Sequence, residues 1–364
     1  MSAPNLDDHE LIPLNSQRLL DSFLEILSVD SYWGNEHRVV ALIQPRLDAV
    51  GVRCSQDAIG NLIGRWPAHG KNTAPIMLNA HMDTVQPTPE MRPVVKPDAI
   101  YSDGSSVLGA DDKAGVAAIV EAVVTVHEAG LPHGPIDLVF TVGEEVGQFG
   151  ADAFDPNAIE ARIGLVFDGG GPVGEVVSRQ AGSYSFAATF HGKAAHAGIE
   201  AAEGISAIAM LARAIDHMPL GQIDELTVAN VGMISGGQAA NIVPPEAKLV
   251  GQARGLDQTA LDHQVATMQQ AAEGAAAAFG GRVEIEKECR FKATRFSPVH
   301  PAIELADTAI RAAGLKPSHM PTFGGSDAQN FNEKGIQTAI LGSGYLNVHS
   351  VDESIPRVQL DQLT

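Results

Sequence analysis

The sequence predicts an α/β fold: a mostly parallel sheet with helices on both faces, plus an inserted α+β domain of βαββαβ order. Three observations carry this expectation. Short aliphatic runs alternate with helical patterns as far as Phe167, the same alternation returns after Phe291, and between Gln180 and Phe291 strands instead come in pairs around two helices. Alternation implies crossover connections, and hence parallel strands covered on both sides. A chain of 364 residues also exceeds the size at which one hydrophobic core usually stops growing, so two domains are expected. Residues 1–179 and 292–364 would form the larger domain and 180–291 the insertion.

In chain order, Leu19, Leu20, Phe23, Leu24, Ile26 and Leu27 recur at helical spacing within Ser16–Leu27. A second helical pattern runs from Glu36 to Val50, with Pro45 expected to kink it. Strands are expected at Asn61–Arg65 and Ile76–Ala80, a helix at Lys113–Ala129, and strands at Ile136–Thr141 and Ile163–Phe167. The insertion reads as strand Ser183–His191, helix Gly204–His217, strands Thr227–Ser235 and Glu246–Arg254, helix Gln258–Phe279 and strand Arg282–Glu288. A helix at Pro301–Ala313 and a strand at Gln337–Leu341 complete the larger domain. The turn-rich segments Gly169–Pro172 and Thr294–Pro298 are suited to hinges.

Composition removes several function classes. A net charge of -20 with no clustered Lys/Arg run argues against a nucleic-acid partner. Only Cys54 and Cys289 occur, without a CxxC, which excludes a disulfide framework, argues against a thiolate zinc site and fits a reducing cytoplasm. Met1-Ser2-Ala3-Pro4 opens no basic and apolar leader, and no apolar run reaches membrane length, so a cytoplasmic protein with no membrane partner is expected.

The chemistry-bearing residues sit where strands are expected to end, which is where α/β sheets bind ligands. The run Ile76–Ala80 leads into His81-Met82-Asp83. Residues two apart share a face of a strand, so His81 can ligate a metal while Asp83 accepts its other ring N–H and fixes the tautomer. Taken alone, such a pair is more often a hydrogen-bonded strand end. Leu108-Gly109-Ala110-Asp111-Asp112-Lys113 precedes a helix and has two readings: an acidic N-terminal turn favoured by the helix dipole, or a carboxylate, Asp111, bridging two cations from a glycine-flanked turn.

Gly143-Glu144-Glu145 follows Ile136–Thr141. Converging carboxylates repel unless a proton or cation offsets them; with a metal present, one glutamate can ligate while its neighbour takes a proton from the attacking water. A solvated surface loop is the alternative. Asp168 ends a third strand, and His349 lies beyond the last one. Each has a bland reading, a turn aspartate and a surface histidine. As an ordered set, however, they place metal-binding groups at several ends of one sheet.

That ordered set resembles the dinuclear metallopeptidase family that contains peptidase T, the aminoacylases and related carboxypeptidases. The resemblance spans nearly the whole chain, and Leu108–Gly115 with Gly324-Gly325-Ser326-Asp327 is most similar to the peptidase T, or tripeptide aminopeptidase, branch. By this resemblance His81, Asp111 and Asp168 would hold one metal, and Asp111, Glu145 and His349 the other, with Asp111 bridging. Glu144 would be the general base, and Asp83 would orient His81. The larger domain would be catalytic and the insertion a lid or dimerisation domain. In His191–Gly198, His196 would help polarise the scissile carbonyl, while Asn241 and Arg254 would contact substrate; without the family, a turn histidine, a turn residue and a strand-end cation are the readings of these three.

The resemblance thus implies hydrolysis of a small peptide by a water activated between two divalent metals. Two histidines and three carboxylates favour Zn²⁺, with Co²⁺ or Mn²⁺ able to substitute. Two alternatives remain: another amidohydrolase of the same chemistry, either a carboxypeptidase or an N-acyl-amino-acid deacylase, and a non-catalytic metal- or peptide-binding protein. The strand after Gly182 offers an edge through which similar proteins form homodimers, or one that a monomer protects.

Overall fold

The computed structural model describes residues 14–297 and 299–364. The reading of Met1–Pro4 and the last residue of the second expected hinge, Pro298, lie outside the described residues. In chain order the elements are helices α1 (Ser16–Leu27) and α2 (His37–Ala49), then strands β1 (Arg53–Gln56), β2 (Leu62–Trp66), β3 (Ile76–His81), β4 (Val94–Val95) and β5 (Ala99–Tyr101). Helix α3 (Ala110–Glu128), β6 (Ile136–Thr141), α4 (Phe149–Ala153), β7 (Ile163–Gly169) and β8 (Glu175–Gln180) follow. Next come β9 (Gly182–His191), α5 (Ala207–His217), β10 (Gly221–Gln222), β11 (Thr227–Gly236), β12 (Glu246–Gly255), α6 (Gln258–Phe279), β13 (Arg282–Phe291) and β14 (Thr294–Arg295). Helix α7 (Pro301–Ala312), β15 (Ser318–Thr322), α8 (Ala328–Glu333), β16 (Gln337–Gly342), β17 (Ser354–Pro356) and α9 (Arg357–Leu363) close the chain.

The chain divides into two compact units. One comprises residues up to Ser178 with Ser297–Met320 and Ser326–Thr364; the other is Arg179–Phe296 with Pro321–Gly325. The first is built on a sheet in which β3 is parallel to both β6 and β7, and β16 is parallel to β7. Around this parallel centre the strands are antiparallel: β2 against β6, β1 against β2, and β8 against β16. The sheet is therefore mixed rather than mostly parallel. The link from β1 to β2 is too short for a crossover, so those strands can only pair as a hairpin.

Period-two alternation sends successive residues to opposite faces. Leu62, Ala80, Leu138 and Phe140 join the apolar residues of α1, α2, α3 and α9 in one core. Ile63, Met77, Val139 and Val166 join Phe154, Ala328 and Phe331 in another. Helix α1 starts where Asn15 accepts the N–H of Arg18 and buries Leu19, Leu20, Phe23, Ile26 and Leu27. Pro45 lies inside α2, which continues past it to Ala49.

The second unit has a five-stranded antiparallel sheet ordered β10-β11-β12-β9-β13, so the strand after Gly182, expected at an edge, is instead paired on both sides, by β12 and β13. Phe186, Ala188, Phe190, Leu249 and Ala253 pack with Met210 and Leu211 of α5 and Leu261, Val265 and Met268 of α6. The Gly169–Pro172 run lies within the first unit rather than at the division between the two. Its carbonyls at Gly169 and Gly171 accept the N–H groups of Ser343 and Gly344, at 2.8 and 2.9 Å, so it stays tied to β16 inside the first unit. Among the described residues, no helix is long and apolar enough to cross a membrane.

Candidate metal centre

Sheet register puts the candidate residues at one edge. His81 pairs with Thr141 at the carboxyl ends of parallel β3 and β6, and Asp168 occupies the corresponding end of β7. Asp111 enters from the first turn of α3, where Asp111 and Asp112 depart from helical backbone angles and their peptide bond is cis. Gly115 permits this turn to come close to the sheet, since a Cβ there would sit 2.8 Å from the Phe167 carbonyl. The acidic pair divides its roles, Asp112 capping the helix through the Gly115 N–H while Asp111 turns to the two histidines. Asp112 turns inward, with Oδ2 accepting the backbone N–H of His81 at 3.3 Å and Oδ1 that of Gly115 at 3.3 Å.

The groups expected to ligate converge. His81 Nε2 lies 3.2 Å from Asp111 Oδ1 and 3.8 Å from Asp168 Oδ1, and its Nδ1 lies 3.3 Å from Asp83 Oδ1. His349 Nε2 lies 3.3 Å from Asp111 Oδ2 and 2.9 Å from Glu145 Oε1. Asp111 thus faces a histidine from each side. His81, Asp111 and Glu145 each offer an atom within 4.8 Å of the others, a grouping that can hold a metal ion.

The donor chemistry fits cations. Glu145 Oε1 is buried and lacks an aligned hydrogen-bond donor despite the nearby His349 ring, an arrangement better suited to a shared ion. Burial, with neighbouring negative charge, pushes Glu144 and Asp168 well above the usual carboxylate range, and burial also raises Glu145. Burial works against ionisation of Asp111 as well, but hydrogen bonds with His349 and His81 hold it below that range. The close carboxylates of Asp111 and Glu145 raise His349 to about 10. Without cations, then, the protein's own protons and imidazolium charges must offset the buried acids. Divalent ions would do so directly and leave both rings neutral for ligation.

The Glu144-Glu145 loop is anchored through its backbone. Three successive N–H groups meet carboxylates: Gly143 donates to Glu36 Oε1 at 3.2 Å, Glu144 to Asp83 Oδ1 at 3.0 Å and Glu145 to Asp83 Oδ2 at 3.1 Å. Asp83, fully buried, thus does more than face His81. Gly143 has φ 62, and a Cβ there would come within 2.3 Å of the Trp33 ring, so only glycine suits this turn.

Sequence reasoning missed several residues around the centre. Glu353, 1% exposed, accepts the N–H groups of Gly109 at 2.9 Å and Asp111 at 3.0 Å, clamping the turn that presents Asp111. Tyr345 donates its hydroxyl to Asp168 Oδ1 at 3.2 Å, and Asp327 accepts the Thr141 hydroxyl. Glu353 had a local signal only in lying four residues beyond His349; its partners are more than two hundred residues away. Glu353→Ala is expected to lower stability by about 2–6 kcal/mol, because two N–H groups lose their acceptor, and to weaken metal retention. Thermal unfolding and metal content check this, and wild-type values for both would reject the clamp.

In the second unit the structure brings His196 and Asn241 together. His196 bridges to Ile242, and Asn241 accepts the N–H of Ala197 at 3.0 Å. Both are exposed, and His196 Nδ1 accepts the Gly198 N–H at 3.1 Å. Arg254 is half-buried on β12, donating from Nη1 to the Phe323 carbonyl at 2.7 Å and from Nε to Gln252 at 3.3 Å.

Residues 77–364 match the family model described as peptidase family M20/M25/M40. An uncharacterized protein of Bacillus subtilis (strain 168), YqjE, is 37% identical over 355 residues, covering 95% of each chain. The crystal structure of aminopeptidase PepT from Bacillus cereus ATCC 10987 matches with a TM-score of 0.87 at 36% identity, covering 96% of each chain. A tripeptidase from Staphylococcus aureus matches with a TM-score of 0.91, also at 36% identity and 96% coverage of each chain.

Proposed function

We propose, on the premise that this chain belongs to peptidase family M20/M25/M40, that it is a metal-dependent aminopeptidase acting on tripeptides. Peptidase activity dependent on metal follows from the family and the convergent ligand cluster. The finer substrate reading is carried by one observation, the match over 96% of the chain to an aminopeptidase and a tripeptidase at 36% identity.

In this reading His81, Asp111 and Asp168 would hold one divalent ion, and Asp111, Glu145 and His349 a second, with Zn²⁺ expected and Co²⁺ or Mn²⁺ able to substitute. When bound, such ions lower the pKa of a water and polarise a carbonyl. The chain's own groups do the rest. Glu144 takes a proton from the attacking water and returns it to the leaving amine. Asp83 holds the loop that presents Glu144 and keeps the His81 ring in the ligating tautomer. His196, Asn241 and Arg254 are assigned to the substrate, and residues 180–291 to a lid or dimerisation role, on motif resemblance. A cytoplasmic location fits the cysteine content, and the reading leaves a homodimer through residues 180–291 and a monomer both open.

Hydrolysis of unblocked di-, tri- and tetrapeptides beside their N-acetylated forms, with Zn²⁺, Co²⁺ and Mn²⁺ in turn, tests the substrate. Release of the N-terminal residue from free tripeptides supports the reading. Cleavage of blocked substrates alone moves it to the deacylase or carboxypeptidase alternative, and no turnover with any metal overturns it. Removing the metal should also lower Tm by several degrees, since ions that bind only the folded chain stabilise it. An unchanged Tm after verified removal would contradict the proposed centre.

A further inference from the structure

Glu144 does not stand alone in its loop. Its Oε1 accepts a hydrogen bond from Gln148 Nε2 at 3.1 Å, and Gln148 Oε1 accepts one from Asn330 Nδ2 at 2.8 Å. Both amides are buried, at 4% and 7% exposure. Gln148 also has φ 60, a left-handed backbone that non-glycine residues seldom adopt. There its N–H donates to the Glu144 carbonyl at 2.8 Å, closing the turn that carries its side chain back to the carboxylate.

The chain of bonds has a direction. Gln148 turns its NH₂ to Glu144 and its oxygen to Asn330, whose own amide donates. The last torsion of a glutamate side chain is broad and roughly two-fold, so an unsupported carboxylate would swing. A donor held on Oε1 resists that swing and leaves Oε2 free.

We infer that Gln148 and Asn330 form a two-amide relay that sets the orientation of the Glu144 carboxylate, which makes both of them positioning residues for proton transfer. The inference rests on the reading of Glu144 as general base. Buried amides that merely satisfied one another would need no terminus on that carboxylate.

The test uses the metal-loaded full chain with Gln148→Leu, Asn330→Asp and the double variant, assayed on a tripeptide. Gln148→Leu should lower kcat by about 10-fold or more while KM stays within about 2-fold and metal content holds, as expected when a hydrogen bond to a charged catalytic group is lost. Asn330→Asp should have a similar effect, because an aspartate can only accept and turns the Gln148 oxygen toward Glu144. In the Gln148→Leu background it should cost nothing further, since the intermediary is gone. Wild-type kcat in Gln148→Leu, or an equal loss from Asn330→Asp in both backgrounds, overturns the relay.

If the wild type cleaves no peptide, the functional reading fails, and the relay is judged by ¹⁵N spectra of its side-chain amides. The Gln148 NH₂ resonance, assigned by its loss in Gln148→Leu, should move in both Glu144→Ala and Asn330→Asp. A resonance that moves in neither overturns it.

Discussion

Glu144→Gln should yield a folded protein that retains its metal and has a kcat lower by about 10²- to 10⁴-fold, the usual contribution of a positioned general base. The replacement is nearly isosteric, and its amide oxygen can still accept from Gln148, whose Nε2 lies 3.1 Å from the native carboxylate. The backbone bonds from residues 144 and 145 to Asp83 do not involve the substituted side chain. Only the capacity to take a proton is lost. The measurement is kcat on a tripeptide, with metal content and Tm determined on the same sample. A kcat within about 3-fold of wild type, against that expectation, would move the base to another group.

Asp83→Ala should be the more damaging change to the molecule as a whole. The carboxylate is fully buried and accepts two successive loop N–H groups, at 3.0 and 3.1 Å. Leaving both unpaired costs about 2–6 kcal/mol, at roughly 1–3 for each buried donor. His81 Nδ1, 3.3 Å from Asp83 Oδ1, loses its orienting neighbour too, a type of loss that typically weakens metal affinity by about 10- to 100-fold. Asp83→Asn should recover only part of this, because its NH₂ cannot accept the second N–H. Denaturant unfolding and metal titration of both variants are the measurements, and stability within about 1 kcal/mol of wild type, below the cost of one unpaired donor, would refute the anchoring role.

The residues most readable from sequence were those lying at strand ends. His81, Glu144, Glu145 and Asp168 each follow an apolar run whose end positions them, and sheet register then brings those ends to one edge. Strand direction was less legible. The β2 sequence reveals burial but not that a short hairpin makes it antiparallel to β1. The supports of the site were the least legible: Glu353 reaches Gly109 and Asp111, and Asn330 reaches Gln148, across long stretches of chain. No periodicity marks such contacts. The Gly169–Gly171 run misleads for a related reason, since its bonds to Ser343 and Gly344 come from a distant part of the chain.

The double engagement of Asp83 bears on how such a protein can diverge. One side chain is answerable both to a histidine and to the loop that carries two glutamates, so selection cannot adjust either partner without disturbing the other. A change confined to the histidine or to the glutamate loop alone must therefore come from residues lying outside this shared anchor.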